Sequence, residues 1–179
     1  MKTTRCRLEG IRILTPEVHA DARGHFLEAY HQARYRAAGV ETDFVQDSYS
    51  HSRRGVLRGL HFTRHRPQAQ LLTVVRGHIF DVVVDLRRGS PTFGQWHGEE
   101  LRDDGVRQIY MPHGFAHGFC VLSESADLHY KVSALYTPDD NFGLRWDDPR
   151  VAIRWPLAAP QVSERDRQFP LLEALDALD

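Results

Sequence analysis

Two adjoining runs of β-forming residues in the middle of the chain constrain the fold most strongly. They cover residues 71–75 and 78–86, and Arg76-Gly77 between them predicts a tight turn with Gly77 at positive φ. In the second run the even positions from 80 to 86 are all apolar, whereas the odd positions include two aspartates. Because side chains alternate across a strand, the apolar face is expected to pack on the core of a β-sandwich.

Short β-forming runs also recur along the rest of the chain, separated by turns that contain Gly or Pro. Helical periodicity is weak and is best at 29–38 and 171–178. This pattern predicts an all-β fold, a jelly-roll (cupin-like) β-sandwich with a few short peripheral helices, in one domain over residues 1–179. The other predicted strands are 10–15, 26–29, 94–101, 106–111, 115–121, 127–133 and 151–155.

Composition excludes several classes of function. The net charge of −1 argues against a nucleic-acid binder, and no apolar run approaches the length of a membrane span. Cys6 and Cys120 form no C-x-x-C motif, which favours a reducing compartment. The N-terminus lacks the apolar segment of a signal peptide, so we expect a cytoplasmic protein.

The segment 55–62, Gly-Val-Leu-Arg-Gly-Leu-His-Phe, contains the first candidate site residues. Strand alternation would place Gly59 and His61 on one face and Arg58 on the other. A titratable ring close to a glycine indicates a pocket wall that something can approach closely. A hydrogen-bonded core histidine beside a surface arginine fits these eight residues equally well.

Four further side chains are candidates for a role in proton transfer. His117 lies between glycines and aromatic residues in the segment 111–119, and a buried structural histidine is the alternative reading. Tyr130 and Tyr136 are ordinary strand aromatics unless the environment places a phenol beside a developing oxyanion. Asp166 follows a serine and fits a helix cap, unless it folds back to orient a histidine.

Other common chemistries lack their motifs. A metal-binding cupin commonly carries His-x-His on one strand, but His61 is followed by Phe62-Thr63. The chain contains no Gly-x-Ser-x-Gly, no Walker loop and no reactive context for its cysteines. Proton transfer remains, with histidine as base, tyrosine as acid and arginines for an anionic substrate.

Together these motifs resemble the dTDP-4-dehydrorhamnose 3,5-epimerase family of nucleotide-sugar epimerases. The resemblance implies a jelly roll, usually dimeric, whose active site lies inside the roll and needs no cofactor and no metal. The expected ligand is a nucleotide-diphosphate sugar. The matching segments are 21–28, 44–47, 55–62, 74–91, 93–96, 112–119, 130–131, 136–138, 153–156 and 163–166.

The resemblance also implies roles for individual residues. His61 is the base, Asp166 orients it, and Tyr130 is the acid on the opposite face of the sugar. Arg58 and His117 line the pocket. The nucleotide and diphosphate are expected to contact Arg23, Glu28, Gln46 and Asp47, partly from the neighbouring subunit, and further substrate contacts are expected from Gln70, Tyr136, Asn141 and Arg165.

Several positions depart from the family pattern. Gln70 stands where the family has a lysine, and its amide donates a hydrogen bond but brings no positive charge. Asn141 replaces a glutamate, Arg165 a lysine and Ser48 an asparagine. The base and acid are kept while substrate contacts change, which predicts the same chemistry on an altered substrate or at C3 alone.

The predicted reaction is epimerisation at C3 and/or C5 of a nucleotide-diphospho-4-keto-6-deoxysugar, linked to dTDP, in deoxysugar biosynthesis. The 4-keto group acidifies both C–H bonds, a base forms an enolate, and an acid returns the proton to the other face. The alternatives are a C3-only epimerase, a ketoisomerase on a related nucleotide sugar, a catalytically impaired sugar-nucleotide binding module and a metal-dependent cupin.

Overall fold

The computed structural model describes residues 1–175, which form mostly β-strands with three short α-helices. This composition confirms the predicted all-β class. The helices are α1 (Gln32–Ala37), α2 (Glu164–Arg167) and α3 (Leu172–Leu175), and a 3₁₀ turn covers Pro138–Asp140. In chain order, the strands are β1 (Lys2–Arg5), β2 (Arg12–Thr15), β3 (Val18–Asp21), β4 (Gly24–Leu27), β5 (Gln46–Arg53), β6 (Val56–Phe62), β7 (Gln70–Arg76), β8 (His78–Asp85), β9 (Trp96–Arg102), β10 (Gln108–Met111), β11 (Phe115–Val121), β12 (Ser125–Val132), β13 (Phe142–Gly143) and β14 (Gln161–Val162).

The strands form two large sheets that pack face to face. The first sheet has the order β1-β2-β10-β7-β12-β5, and the second has the order β13-β6-β11-β8-β9, with β14 beside β6. β3 and β4 form a separate two-stranded hairpin. The inner faces of the two large sheets meet in one apolar core, which confirms the predicted sandwich. Core residues include Leu72, Ile79, Val83, Ile109, Leu128 and Phe119.

Strand β8 is buried on both faces. Its mixed face, with Ile79, Asp81 and Val83, points into the sandwich, and Asp81 is fully buried there. The wholly apolar face, with Val82 and Val84, is therefore the outer one, contrary to the prediction that it contacts the central core. The assignment of faces was wrong because a carboxylate is accommodated inside the roll, where it has a histidine partner.

The C-terminal part of the chain covers this outer apolar face. Leu144, Val151 and Leu172 pack against Val82 and Val84 of β8 in a second apolar cluster. The predicted strand at 151–155 is wrong, because this segment is a turn and irregular backbone. Its alternating apolar residues pack onto the sheet without joining its hydrogen-bond ladder.

Most of the other predicted elements are present with shifted ends. The predicted strand at 115–121 coincides with β11, Gly77 has a φ of +90° in the turn before β8, and α1 lies within the predicted helix at 29–38. The strands β1, β3, β5, β13 and β14 were not predicted. The C-terminal helix begins as expected, and residues 176–179 lie outside the described part. No helix among the described residues is long and apolar enough to cross a membrane.

Candidate active site

A β-bulge in β6 brings Arg58 and His61 to the same side of the strand. His117 of β11 pairs with His61, and Phe119 pairs with Arg58. The two paired positions are therefore three residues apart in β6 but only two residues apart in β11. The extra residue reverses the alternation of side chains. The prediction that Arg58 and His61 lie on opposite faces is therefore wrong, because it assumed a regular strand.

Gly59 makes this bulge possible. It has a φ of +112°, and a Cβ added there would lie 2.6 Å from the carbonyl oxygen of His117 and 2.7 Å from Cα of Gly118. The prediction of a close approach at this glycine is confirmed, and the approaching group is the β11 backbone. The Gly59 amide also donates a hydrogen bond to Asp166 Oδ2 at 3.1 Å.

A cavity of about 220 Å³ lies beside the bulge, between the two sheets. One wall comes from β6 and β11 and the other from β5, β7 and β12. The cavity thus gathers many of the site residues predicted from sequence. Its lining includes the predicted residues Arg58, His61, Gln70, His117, Tyr130 and Asn141, together with Ser50, Leu72, Gly118 and Phe119.

His61 is oriented by a carboxylate from the C-terminal part of the chain. Its Nε2 lies 2.9 Å from Asp166 Oδ1, and because a carboxylate accepts, the ring donates from Nε2. The lone pair is then on Nδ1. About a third of the His61 side chain remains exposed, at 35%. A ring with a fixed tautomer and an accessible lone pair has the geometry of a general base.

Asp166 reaches His61 from a helical turn whose cap also holds it. Ser163 is the N-cap of α2, and its Oγ accepts a hydrogen bond from the Asp166 amide at 3.1 Å. Burial acts to raise the pKa of Asp166, but hydrogen bonds from His61, Gly59 and Ser163 outweigh it and hold the pKa below its ordinary value. Asp166 is therefore both part of a cap and the partner of His61.

Tyr130 faces the cavity from the opposite sheet. It lies on β12 and packs against the central core. Burial raises the pKa of the Tyr130 phenol, and the positive charge of Arg58 offsets only part of this effect. The phenol therefore keeps its proton at neutral pH. His61, the candidate base, and Tyr130, the candidate acid, thus line the same cavity from facing sheets.

His117 has a carboxylate partner of its own. Its Nε2 lies 2.7 Å from Oδ2 of Asp81, which is fully buried. The other oxygen, Asp81 Oδ1, has no hydrogen-bond partner among the described residues. A buried carboxylate with one partner fixes the orientation of that partner strongly. His117 is therefore a rigid part of the cavity wall beside His61.

Three positions that depart from the family pattern lie at or near the cavity. Gln70 lines it, and its Nε2 donates to Gln68 Oε1 at 3.2 Å. Arg165 donates a hydrogen bond to the backbone carbonyl of Asn141. Arg165 also lines an adjoining groove that includes Asp166. The altered positions thus lie in contact with the cavity wall rather than at distant sites.

Gln46 and Asp47 do not line the cavity. Gln46 Oε1 accepts from the backbone amide of Tyr136 at 2.9 Å, which links β5 to the loop after β12. Asp47 Oδ1 is 2.6 Å from Lys131 Nζ, and this hydrogen bond holds the pKa of Asp47 below its ordinary value. Adjacent residues of a strand point to opposite faces, so only Gln46 shares the inner face of β5 with Ser50.

Arg23, Glu28 and Tyr136 also lie outside the cavity in a single chain. Arg23 is at the β3–β4 turn, where it pairs with Asp21 at 2.6 Å and is 90% exposed. Glu28 pairs with Arg34 at 2.5 Å beside a separate surface groove. Tyr136 is more than half exposed. The structure therefore does not bring these predicted substrate contacts to His61 within one chain.

Two residues of the site were missed from sequence. Ser50 lines the cavity, and Asp81 supports His117. The signal for Ser50 was available, since the polar positions 46, 48, 50 and 52 alternate along one strand face. For Asp81, the signal was a carboxylate at an inward position of an otherwise apolar strand.

Among residues 1–175, no three His, Cys, Asp or Glu side chains are grouped in a way that could hold a metal ion. The two histidines of the cavity wall each point Nε2 at a single carboxylate, Asp166 or Asp81. This donor set resembles a pair of histidine–carboxylate dyads.

Comparison with known proteins identifies the family. The family model for dTDP-4-dehydrorhamnose 3,5-epimerase matches residues 5–174. The dTDP-4-dehydrorhamnose 3,5-epimerase of Methanothermobacter thermautotrophicus is 48% identical over 93% of this chain and 92% of its own length. The dTDP-4-dehydrorhamnose 3-epimerase of Streptomyces niveus is 47% identical over 95% of this chain and 84% of its own length.

A solved structure agrees with the sequence relatives. The dTDP-6-deoxy-D-glucose-3,5-epimerase of Legionella pneumophila, in complex with dTDP-4-keto-L-rhamnose, superposes with a TM-score of 0.95 at 43% identity. The match covers 98% of this chain and 95% of that chain. The chain is therefore a member of the dTDP-4-dehydrorhamnose 3,5-epimerase family of isomerases.

Proposed function

We propose that this chain epimerises C3 and C5 of a dTDP-linked 4-keto-6-deoxyhexose, with His61 as the base and Tyr130 as the acid. The observation that carries this assignment is the placement of His61 and Tyr130 on facing walls of one cavity. Inversion requires a proton to leave one face of a carbon and another to arrive at the opposite face. The Legionella relative, whose structure is a complex with dTDP-4-keto-L-rhamnose, supports the substrate class.

In the first step His61 Nδ1 removes the proton from the carbon next to the keto group. The C–H electrons move into the carbonyl and form an enolate, and the imidazole becomes a cation. Asp166 stabilises that cation through the hydrogen bond at Nε2, 2.9 Å away. Tyr130 then gives its proton to the other face of the same carbon, which restores the ketone with inverted configuration and leaves Tyr130 as a phenolate. Before the second carbon reacts, water takes the proton from His61 and returns one to Tyr130.

The enolate oxygen needs donors that are already in place. Arg58 supplies a fixed positive charge at the cavity, and its guanidinium is anchored by Ser52 Oγ at 2.9 Å and by the carbonyl of His51 at 3.3 Å. Such preorganised donors stabilise developing negative charge without a cost of reorientation. Gln70 adds a neutral donor on the facing sheet.

Epimerisation at C3 alone is the second candidate. Gln70 lines the cavity without a charge, so the enolate has one cation fewer than the family pattern supplies. The Streptomyces niveus relative, a 3-epimerase, is nearly as similar to this chain as the Methanothermobacter 3,5-epimerase. Both observations favour testing C3 and C5 separately.

The active form is proposed to be a homodimer in which the β3–β4 hairpin reaches the partner's cavity. All residues of β3 are exposed, and Phe26 of β4 is 70% exposed. A two-stranded hairpin with no further strand beside it gains stability when it packs on another surface. Arg23 and Glu28, at the tip and the end of this hairpin, would then hold the nucleotide diphosphate across the interface.

The reaction is assigned to the cytoplasm, in a single-domain protein. The cysteines Cys6 and Cys120 are both free, as expected in a reducing compartment. The two large sheets share one central core, which is how a single domain is built.

The test is a proton-exchange assay followed by NMR. Purified protein is incubated in D2O with dTDP-4-keto-6-deoxyglucose, and deuterium is counted at C3 and at C5 while the products are identified. His61→Ala is the control and should lower exchange by more than about 100-fold. Exchange at both carbons supports the double epimerisation, whereas exchange at C3 alone supports the second candidate.

Three outcomes would contradict the proposal. A product whose keto group has moved to another ring carbon would identify a ketoisomerase. Tight binding of the nucleotide sugar without any exchange would identify a binding module that has lost activity. Full turnover by His61→Ala would remove His61 from the mechanism even if epimerisation itself were observed.

A further inference from the structure

Ser50 lines the cavity and has a hydroxyl group without a partner. Its Oγ is buried, and it makes no hydrogen bond with any described residue. The same residue lines the cavity that contains His61 and Tyr130. A buried hydroxyl without a partner is unfavourable in the free protein, because it loses its hydrogen bonds to water and gains none in return.

The strand register places Ser50 close to the proposed acid. Ser50 pairs with Leu128 and Tyr130 pairs with Ser48, so Ser50 and Tyr130 are diagonal neighbours on the inner face of β5 and β12. Side chains in this relation are about 7 Å apart at Cβ and can contact the same small molecule.

Arg58 closes the other side of this position. Its guanidinium donates hydrogen bonds to Ser52 Oγ and to the carbonyl of His51, the two residues that follow Ser50 in β5. Ser50 thus lies between a fixed cation and the phenol of Tyr130. Both neighbours are used elsewhere, Arg58 through its bonds to β5 and Tyr130 as the proposed acid, so the Ser50 hydroxyl remains free for substrate.

We propose that Ser50 is a substrate-binding residue that hydrogen-bonds a ring hydroxyl of the hexose. A serine hydroxyl both donates and accepts, as does a sugar hydroxyl, whereas the enolate oxygen is better matched by the charged donor Arg58. The inference rests on the proposed function and extends it by naming a contact that selects for a hydroxylated sugar. It also explains why an unpartnered polar atom is retained in the cavity.

The experiment compares Ser50→Ala with Ser123→Ala. Ser123 is a matched control because its Oγ is also inside the fold but has partners, the amide of His78 at 2.8 Å and the carbonyl of Ser125 at 2.7 Å. For each variant we would measure the melting temperature without ligand, KM and kcat for exchange, and calorimetric affinity for the nucleotide sugar and for dTDP alone.

Ser50→Ala should raise KM and weaken nucleotide-sugar binding by about 10-fold, the value of one hydrogen bond. Its affinity for dTDP alone should be unchanged. Its melting temperature should be unchanged or should rise, because the unpartnered buried hydroxyl has been removed. Ser123→Ala should show the reverse, with a lower melting temperature and an unchanged KM.

Three results would overturn the inference. The first is an unchanged KM and affinity in Ser50→Ala. The second is a fall in its melting temperature as large as that of Ser123→Ala. The third is an equal loss of affinity for dTDP and for the nucleotide sugar. Failure of the proposed function is seen separately, as absence of exchange in the unaltered protein. The calorimetric comparison would still decide whether Ser50 binds the sugar in that case.

Discussion

Asp166 Oδ1 lies 2.9 Å from Nε2 of His61, although 105 residues separate the two in the chain. The second oxygen of the same carboxylate accepts from the Gly59 amide at 3.1 Å, inside the bulge that turns His61 toward the cavity. One side chain thus fixes the ring tautomer and stabilises the backbone that presents the ring. Catalytic geometry and local fold are coupled at Asp166.

Asp166→Asn should lower the exchange rate by about 100- to 10,000-fold while leaving substrate affinity nearly unchanged. The amide keeps the shape of the side chain but cannot stabilise the imidazolium that forms on His61. Single-turnover exchange in D2O measures the rate, and calorimetry measures binding. A rate within about 3-fold of the original would show that the carboxylate has no catalytic role.

The same variant should change how stability depends on acid. The pKa of Asp166 is lower in the folded protein than in the unfolded chain. Its contribution to the free energy of unfolding is therefore complete at pH values above the pKa in the unfolded chain, which is about 3.9. That contribution is lost as the pH falls through the pKa that Asp166 has in the folded protein. Urea unfolding at several pH values should therefore show a weaker loss of stability in acid for Asp166→Asn than for the original protein.

Tyr130→Phe should impair the return of the proton more than its removal. The variant keeps His61 and the aromatic packing but has no proton to give, so the enolate would return to the starting configuration or wait for water. We expect epimer formation to fall by about 100-fold or more, with a smaller fall in exchange of the starting sugar. Equal losses of epimer formation and of exchange would mean that Tyr130 contributes to substrate binding rather than to proton transfer.

Gly59→Ala should destabilise the protein far more than Gly55→Ala. Both glycines have positive φ, but a Cβ at Gly59 would lie 2.6 Å from a backbone oxygen, whereas a Cβ at Gly55 meets nothing within 4 Å. The conformational cost is about 1–2 kcal/mol at either position, and the collision adds a further 1–3 kcal/mol at Gly59. Denaturant unfolding measures the difference, and equal losses would show that the bulge can relax.

The bulge also shows why part of the site could not be predicted from sequence. Strand periodicity identifies β6 and its glycine, but the number of residues that oppose β11 depends on the pairing of the two strands. A single extra residue in β6 moved Arg58 to the face of His61. Local pattern carries no information about such a register shift, which depends on contacts between distant segments.

Strand β5 illustrates a different limit. Its inner face carries Gln46, Ser48, Ser50 and Ser52 rather than apolar residues, and Ser50 on this face lines the cavity. Hydrophobic alternation was therefore absent, and the strand was missed. In contrast, β8 and β11 were predicted well because their neighbours cover them on both sides. The pairing of Asp166 with His61 was expected only from family resemblance, since nothing local links the two.

Mixing two inactive variants should restore about one quarter of the original activity if the hairpin completes the partner's site. In a heterodimer of Arg23→Ala and His61→Ala, one cavity has both His61 and the Arg23 of the neighbouring subunit, and random pairing makes half of the dimers mixed. The variants are refolded together and assayed for epimer formation. The matched control mixes His61→Ala with Tyr130→Phe, whose altered residues line one cavity of the same chain, and should restore nothing. Absence of restoration in both mixtures would show that each chain builds its own site.

Gln70→Lys should raise exchange at C5 relative to C3. Gln70 lines the cavity with Tyr130, and its amide donates one of its two N–H groups to Gln68 Oε1 at 3.2 Å, so it offers the enolate one neutral hydrogen bond and no charge. A lysine would place a second cation there beside that of Arg58, and a charged hydrogen bond to the enolate is expected to raise the C5 rate by about 10-fold. Gln70→Met, which is similar in length but has neither charge nor donor, is the control and should leave the ratio of C5 to C3 exchange unchanged or lower. If Gln70→Lys instead slows both exchanges while Gln70→Met does not, the cavity is adapted to a substrate that needs a neutral amide at this position, and the charge argument fails.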